Sequence, residues 1–293
     1  MNAMKYLYYP GCSLEGTALE YDMATRAVMD AAGATLRTLP DWSCCGASAA
    51  QATGFLLSLA LPARNLAIAE ALEVADDLLV PCSACYLNLK RVVEISRKQP
   101  ALLAMINTAL EGEGRRLEGR VRVRHLLDVL ACDLGEKGVR KLVTKPLEGL
   151  VVAPYYGCQC LRPYSVFDDP EQPRSMEPII EALGASVHPW EMGGKCCGAS
   201  HMNTKMALGI ALSGAVLKGA RGADLVVTVC PMCQMNLEGY QKKISRALAE
   251  DLSITVLYLP QLVGLAMGLD KGALGLSKNL SVKDSFYKKM ARA

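Results

Sequence analysis

Two adjacent cysteines followed by glycine, Cys196-Cys197-Gly198, constrain this chain more than any other feature, because the same triplet recurs at Cys44-Cys45-Gly46. A lone cysteine precedes each pair, Cys12 after Tyr8-Tyr9-Pro10-Gly11 and Cys158 after Tyr155-Tyr156-Gly157. A C-x-x-C follows each, Cys82 with Cys85 and Cys230 with Cys233. The intervals are 31 and 36 residues in the first set and 37 and 32 in the second. Ten of the 12 cysteines therefore fall into one repeated pattern, with Cys132 and Cys160 outside it. A chain that gathers five dispersed thiols twice is built from two like halves.

Disulfides, zinc and iron–sulfur clusters are the three fates open to such thiols. Disulfides suit secreted chains. Residues 1–5 lead straight into Tyr6-Leu7-Tyr8-Tyr9 without a charged region and a long apolar run, and 293 residues bury an ample core without staples. Zinc takes four ligands in a closed tetrahedron. Each set here offers five thiols spread over more than 70 residues, which suits a polynuclear iron–sulfur centre better.

The apolar runs point to an α/β fold. Residues 5–9, 35–39 and 78–80 read as strands, each leading into a cysteine loop and then a helix. Residues 121–124 read as an edge strand. The cycle repeats with strands at 150–155, 186–190, 224–229 and 254–259, and a helix at 203–221. Two homologous halves with parallel strands follow, 1–140 and 141–269, joined by a Lys-rich connector and trailed by a tail, 270–293. Their cluster sites lie at strand-to-helix loops, where backbone N–H groups at helix starts stabilise thiolate charge. Open α/β sheets bind ligands at those strand ends in any case.

Gly-Cys, Cys-Cys-Gly and Pro-Cys-x-x-Cys, repeated over residues 5–268, resemble the B-type chain of heterodisulfide reductase. The resemblance implies two non-cubane [4Fe–4S] clusters held by Cys12, Cys44, Cys45, Cys82 and Cys85, and by Cys158, Cys196, Cys197, Cys230 and Cys233. It implies cleavage or formation of a disulfide or persulfide bond, with a C-type, ferredoxin-like iron–sulfur subunit and an A-type flavoprotein subunit as partners. The chain also resembles iron–sulfur subunits of glycolate and lactate oxidation systems, which implies a relay role in a larger, quinone-linked oxidoreductase. Cys160 departs from the family pattern. Taken as the ligand instead of Cys158, it leaves 35 residues before Cys196, closer to the 31 of the first half.

Proton donors are few among three histidines. His201 follows the second pair at a helix start, where it can protonate a leaving thiolate, and Lys195 directly precedes that pair and can screen its charge. His188, beside Pro189, reads as structural, and His125 as a satisfied surface or interface residue. Cys132, on a Leu-rich helical face, reads as a buried structural thiol. The proline-rich segment 161–177 is a lid or a surface excursion. The tail is disordered alone or an arm for a partner. Lys+Arg exceed Asp+Glu by only three (32 against 29), which argues against nucleic acid. The longest apolar run, near 55–61, is a buried helix too short to span a bilayer, so the expectation is a cytoplasmic protein without direct membrane insertion.

Overall fold

The computed structural model describes residues 4–72 and 77–291. Eight strands form two four-stranded parallel sheets: β1 (Lys5–Tyr8), β2 (Thr35–Thr38), β3 (Asp77–Val80) and β4 (Arg122–His125) in one, β5 (Val151–Tyr155), β6 (Ser186–Val187), β7 (Leu225–Thr228) and β8 (Thr255–Tyr258) in the other. The orders are β2-β1-β3-β4 and β6-β5-β7-β8, so the halves are duplicates in topology. Both faces of each sheet are covered by helices. The all-apolar β7, Leu225-Val226-Val227 with Thr228, is accordingly buried along its whole length.

This order places the site. The chain leaves β1 to one side for β2 and crosses to the other for β3, making a switch point at the carboxyl ends. Cys12 follows β1, Cys44 and Cys45 follow β2, and Cys82 and Cys85 follow β3, so three adjacent strand ends deliver five thiols to one crevice. β5, β6 and β7 do the same in the second half.

The halves are welded along their middle. Tyr21, in the helix Leu19–Ala31, stacks on Tyr258 with ring centroids 4.1 Å apart. The helix Gly135–Leu142 packs on Glu177–Ala182, so the expected boundary at residue 140 falls inside a helix that already touches the second half. Its buried Val139 is why a Lys-rich connector folds here.

Several expectations need correction. Cys132 is exposed, because it lies in a π-helical turn, Val129–Leu134, that rotates it off the apolar face. His125 is fully buried, enclosed by Tyr86 and by Phe167, which stacks on it at 6.3 Å. The helix over the 55–61 run forms as Phe55–Ala71, yet Phe55 is 54% and Leu57 43% exposed on its first turns. The strand expected to 190 stops at Val187, and the helix expected over 203–221 is Met206–Gly219.

The described part of the tail, residues 270–291, is packed rather than loose. Glu238 accepts the N–H groups of Leu280 at 2.5 Å and Ser281 at 2.8 Å, Leu274 and Phe286 are buried, and Lys289 pairs with Asp224 at 2.7 Å. The segment 161–177 is a bound loop: the Asp168 carboxylate accepts the N–H groups of Arg174 and Ser175, and the Arg162 guanidinium donates to the carbonyls of Pro170 and Gly194. Among the described residues no helix is long and apolar enough to cross a membrane.

Candidate metal centres

The two quintets assemble alike. In the first, the Cys44 and Cys12 sulfurs lie 3.5 Å apart and those of Cys45 and Cys85 3.4 Å apart. The second repeats the latter pair as Cys197 and Cys233 at 3.6 Å, and Cys158 hydrogen-bonds Cys196. The inner cysteines are buried in both halves, while Cys12, Cys44 and Cys196 are exposed and Cys158 half-exposed. Each set thus has three deep thiols and an accessible pair.

Glycine makes the approach possible. Gly11 and Gly157 both have φ of 71°, a left-handed turn that L side chains resist. A Cβ on Gly11 would stand 2.9 Å from Cys85 Sγ, and one on Gly157 2.9 Å from Cys233 Sγ. The backbone leaves room for sulfur where any other residue would fill it.

Electrostatics split the thiols: Cys44, Cys85, Cys158 and Cys233 are pushed up, first by hydrogen bonds with neighbouring cysteines, while Cys45, Cys196 and Cys230 are favoured as thiolates. The helix Ser83–Lys98 begins immediately after Cys82, and Pro231–Gln234 immediately after Cys230. The Cys196 thiol is lowered to about 5, first by the hydrogen bond with Cys158, then by the Gly198 N–H, with His201 and Arg162 adding positive charge. Cys230 is lowered to about 7, first by Cys233, then by the N–H groups of Cys233 and Met232, with Ser83 contributing a hydrogen bond. Cys45 is lowered to about 3 by hydrogen bonds from Cys44 and Cys85.

Cys158, Cys196, Cys197, Cys230 and Cys233 together line a cavity of about 50 Å³, with Gln159, Ala199 and Ser200 at its edge. Cys160 is not on that lining. It is buried and its S–H donates to the Tyr156 carbonyl at 3.2 Å. Gly157-Cys158 matches Gly11-Cys12 in position and backbone angle, which aligns Cys158 rather than Cys160 with Cys12. Lys195 lines a separate groove with Trp190 and Arg174, while its carbonyl accepts the Tyr155 hydroxyl at 2.7 Å. The His188 ring hydrogen-bonds the Gly219 carbonyl at 3.0 Å, away from the thiols. Among the described residues no three His, Cys, Asp or Glu side chains gather as a single metal ion requires. Five soft thiols in each set, one more than a tetrahedral zinc site takes, fit a polynuclear thiolate-held cluster.

The cysteine-rich domain model matches residues 6–90 and 152–238, spanning both quintets. The chain belongs to the CCG cysteine-rich domain family. It is 36% identical over 281 residues, 94% of this chain and 96% of the relative, to the 8-methylmenaquinol:fumarate reductase membrane anchor subunit of Wolinella succinogenes. It is 29% identical to a protein of Archaeoglobus profundus described as like the heterodisulfide reductase B chain, over 91% of this chain and 92% of that one. It is 28% identical to the B chain of the ferredoxin/F(420)H(2)-dependent CoB-CoM heterodisulfide reductase of Methanosarcina acetivorans, covering 98% and 97%. The resemblance to the heterodisulfide reductase B chain is thereby confirmed. A hypothetical protein from Helicobacter pylori shares the fold with a TM-score of 0.76 at 17% identity, covering 96% of this chain. The chain spans 54% of that protein. Sequence reasoning missed Ser83, which reaches the second quintet from the first half, and Arg162, only four residues after Cys158.

Proposed function

We propose that this chain is the cluster-bearing component of a cytoplasmic multi-protein reductase, and that its second half acts on the sulfur–sulfur bond of a small disulfide or persulfide. The observation that carries this reading is the cavity lined by Cys158 and Cys196, with His201 and Arg162 near the Cys196 thiol. Two [4Fe–4S] centres of the non-cubane kind, one on each quintet, would supply single electrons and an iron with affinity for sulfur. The chain's own residues do the rest. Gln159, Ala199 and Ser200 frame the mouth and orient an incoming sulfur. His201, at the end of the turn Ala199–His201, donates a proton to the leaving thiolate, and Arg162 balances its charge. Lys195 screens charge only at longer range, since it lines another groove. Ferredoxin-like and flavoprotein partners deliver the electrons in turn.

A second reading has its own support. The 36% identity to the fumarate reductase component favours a relay that passes electrons between a quinone-linked unit and a flavoprotein. One experiment separates them. Anaerobically loaded protein is given reduced viologen and a small disulfide, with His201→Ala compared against His188→Ala. General acids contribute about a hundredfold to ten-thousandfold, so His201→Ala is expected to lower turnover at least about tenfold with iron content unchanged. Equal effects of the two changes remove the role of His201. No disulfide-dependent oxidation by loaded wild type with partners present selects the relay.

A further inference from the structure

An asparagine stands three residues beyond each C-x-x-C: Asn88 closes Cys85-Tyr86-Leu87-Asn88, and Asn236 closes Cys233-Gln234-Met235-Asn236. Asn88 lies on the helix Ser83–Lys98 and Asn236 in the π-helical turn Met235–Gly239. Both side chains reach back to the Cys-Cys-Gly loop of their own half. The Asn88 amide donates to the Cys45 carbonyl at 3.5 Å and the Ala47 carbonyl at 3.2 Å, with Cys45 Sγ at 3.6 Å. The Asn236 amide donates to the Cys197 carbonyl at 3.1 Å and to Ser213 Oγ at 3.3 Å, and Ser213 donates in turn to that same carbonyl at 2.6 Å.

The carbonyl held in this way shares a peptide unit with the glycine N–H that follows. A trans peptide is planar and points its C=O and N–H in opposite directions, so fixing one end aims the other. The aim is the same in both halves: Gly46 donates its N–H to Cys44 Sγ at 3.4 Å, and Gly198 to Cys196 Sγ at 3.3 Å. Cys44 and Cys196 are the exposed members of their pairs. The loop needs such an anchor, because Gly46, Ala47 and Gly198 have positive φ, of 82°, 39° and 73°. Its other end is pinned separately, by the Tyr9 hydroxyl on the Ser43 carbonyl and the Tyr155 hydroxyl on the Lys195 carbonyl, each at 2.7 Å.

We propose that Asn88 and Asn236 are positioning residues, each aiming a peptide N–H at the accessible thiolate of its own half and thereby raising that centre's reduction potential. This rests on the reading that both quintets hold clusters. A donor to a cluster thiolate stabilises the more negative, reduced state. Freed of the amide, the peptide unit turns and the donor is weakened. The second half carries a reserve, since Ser213 holds the same carbonyl.

The test is a redox titration of the loaded full chain followed by electron paramagnetic resonance, after iron has been counted and each signal assigned with Cys12→Ser and Cys158→Ser. One hydrogen bond to a charged group is worth about tenfold in an equilibrium. Asn88→Ala should therefore shift the first centre about tenfold toward oxidised, about 59 mV for one electron, and leave the second unmoved. Asn236→Ala should move only the second centre, and by less, while Asn236→Ala combined with Ser213→Ala should move it by the full amount. Asn88→Leu keeps the volume without the donor and should match Asn88→Ala, whereas a packing role would hold it at the wild-type potential. If the Asn88 variants shed iron, Asn236→Ala, with Ser213 still in place, carries the test. Wild type lacking iron at either quintet removes the cluster reading and this proposal together. Full iron with neither potential moved, both moved equally, or Asn88→Leu at the wild-type potential overturns the role of the asparagines alone.

Discussion

Adding one methyl group at Gly157 tests how the thiol cradle is made. Gly157→Ala incurs a left-handed backbone strain of about 1–2 kcal/mol. It also places a carbon 2.9 Å from Cys233 Sγ. Carbon and heavier atoms meet comfortably at roughly 3.5–4.0 Å, so the sulfur must retreat by roughly 0.6–1.1 Å. Ligand distances tolerate about 0.2 Å, so the retreat removes Cys233 as a ligand while the first quintet keeps its full set. Gly33→Ala is the matched control, because Gly33 has φ of 76° and nothing within 4 Å of an added Cβ. Gly33→Ala should lower the unfolding temperature by about 2–4 °C per kcal/mol of strain and keep all its iron. Gly157→Ala should show a similar or larger fall and lose about half the iron per chain, as four of eight irons in the two-cluster count. Iron analysis and thermal unfolding at one scan rate read both variants. Gly157→Ala protein carrying as much iron as Gly33→Ala would refute the argument, since the contact would then cost the centre nothing.

Three further outcomes are expected. Cys158→Ser should lose or alter the second cluster and Cys160→Ser should keep iron and spectrum; the reverse, seen by iron analysis and absorbance, assigns the ligand to Cys160. His125 is held at about 3 by burial against an ordinary 6.5, a depressed value, so its contribution to stability is complete above about pH 6.5 and is lost as pH falls toward 3. The unfolding free energy of wild type from denaturant melts should fall relative to His125→Asn by about 2–3 kcal/mol between pH 7 and 4.5, and parallel pH profiles would contradict this. Arg124 is buried and bonded to Asp77, Asp128 and Asp133, so Arg124→Met should destabilise by about 3–5 kcal/mol in denaturant unfolding, chiefly the cost of leaving the buried Asp128 carboxylate without its counter-charge.

The duplication, the parallel strands and the gathering of five thiols at three strand ends were legible in the sequence, because cysteine spacing and strand hydrophobicity are local signals. What escaped depended on contacts between distant segments. His125 ends an edge strand that sequence exposes, but Phe167 from the proline-rich loop covers it. The tail looks polar, yet Glu238 and Gln261 reach its backbone and hold it down. Cys132 follows helical periodicity until a π-helical turn breaks the register. Lys195 sits beside Cys196 in sequence, but it closes a turn, its N–H bonding back to the Met192 carbonyl, and it lines a different groove.

The Tyr21 hydroxyl has a mechanical consequence. One phenol straddles carbonyls from both halves, and its ring is pinned flat against Tyr258, so the interval between the two thiol nests is a fixed dimension of the protein. On the proposed reading, electrons exchanged between them would cross a gap set by this contact.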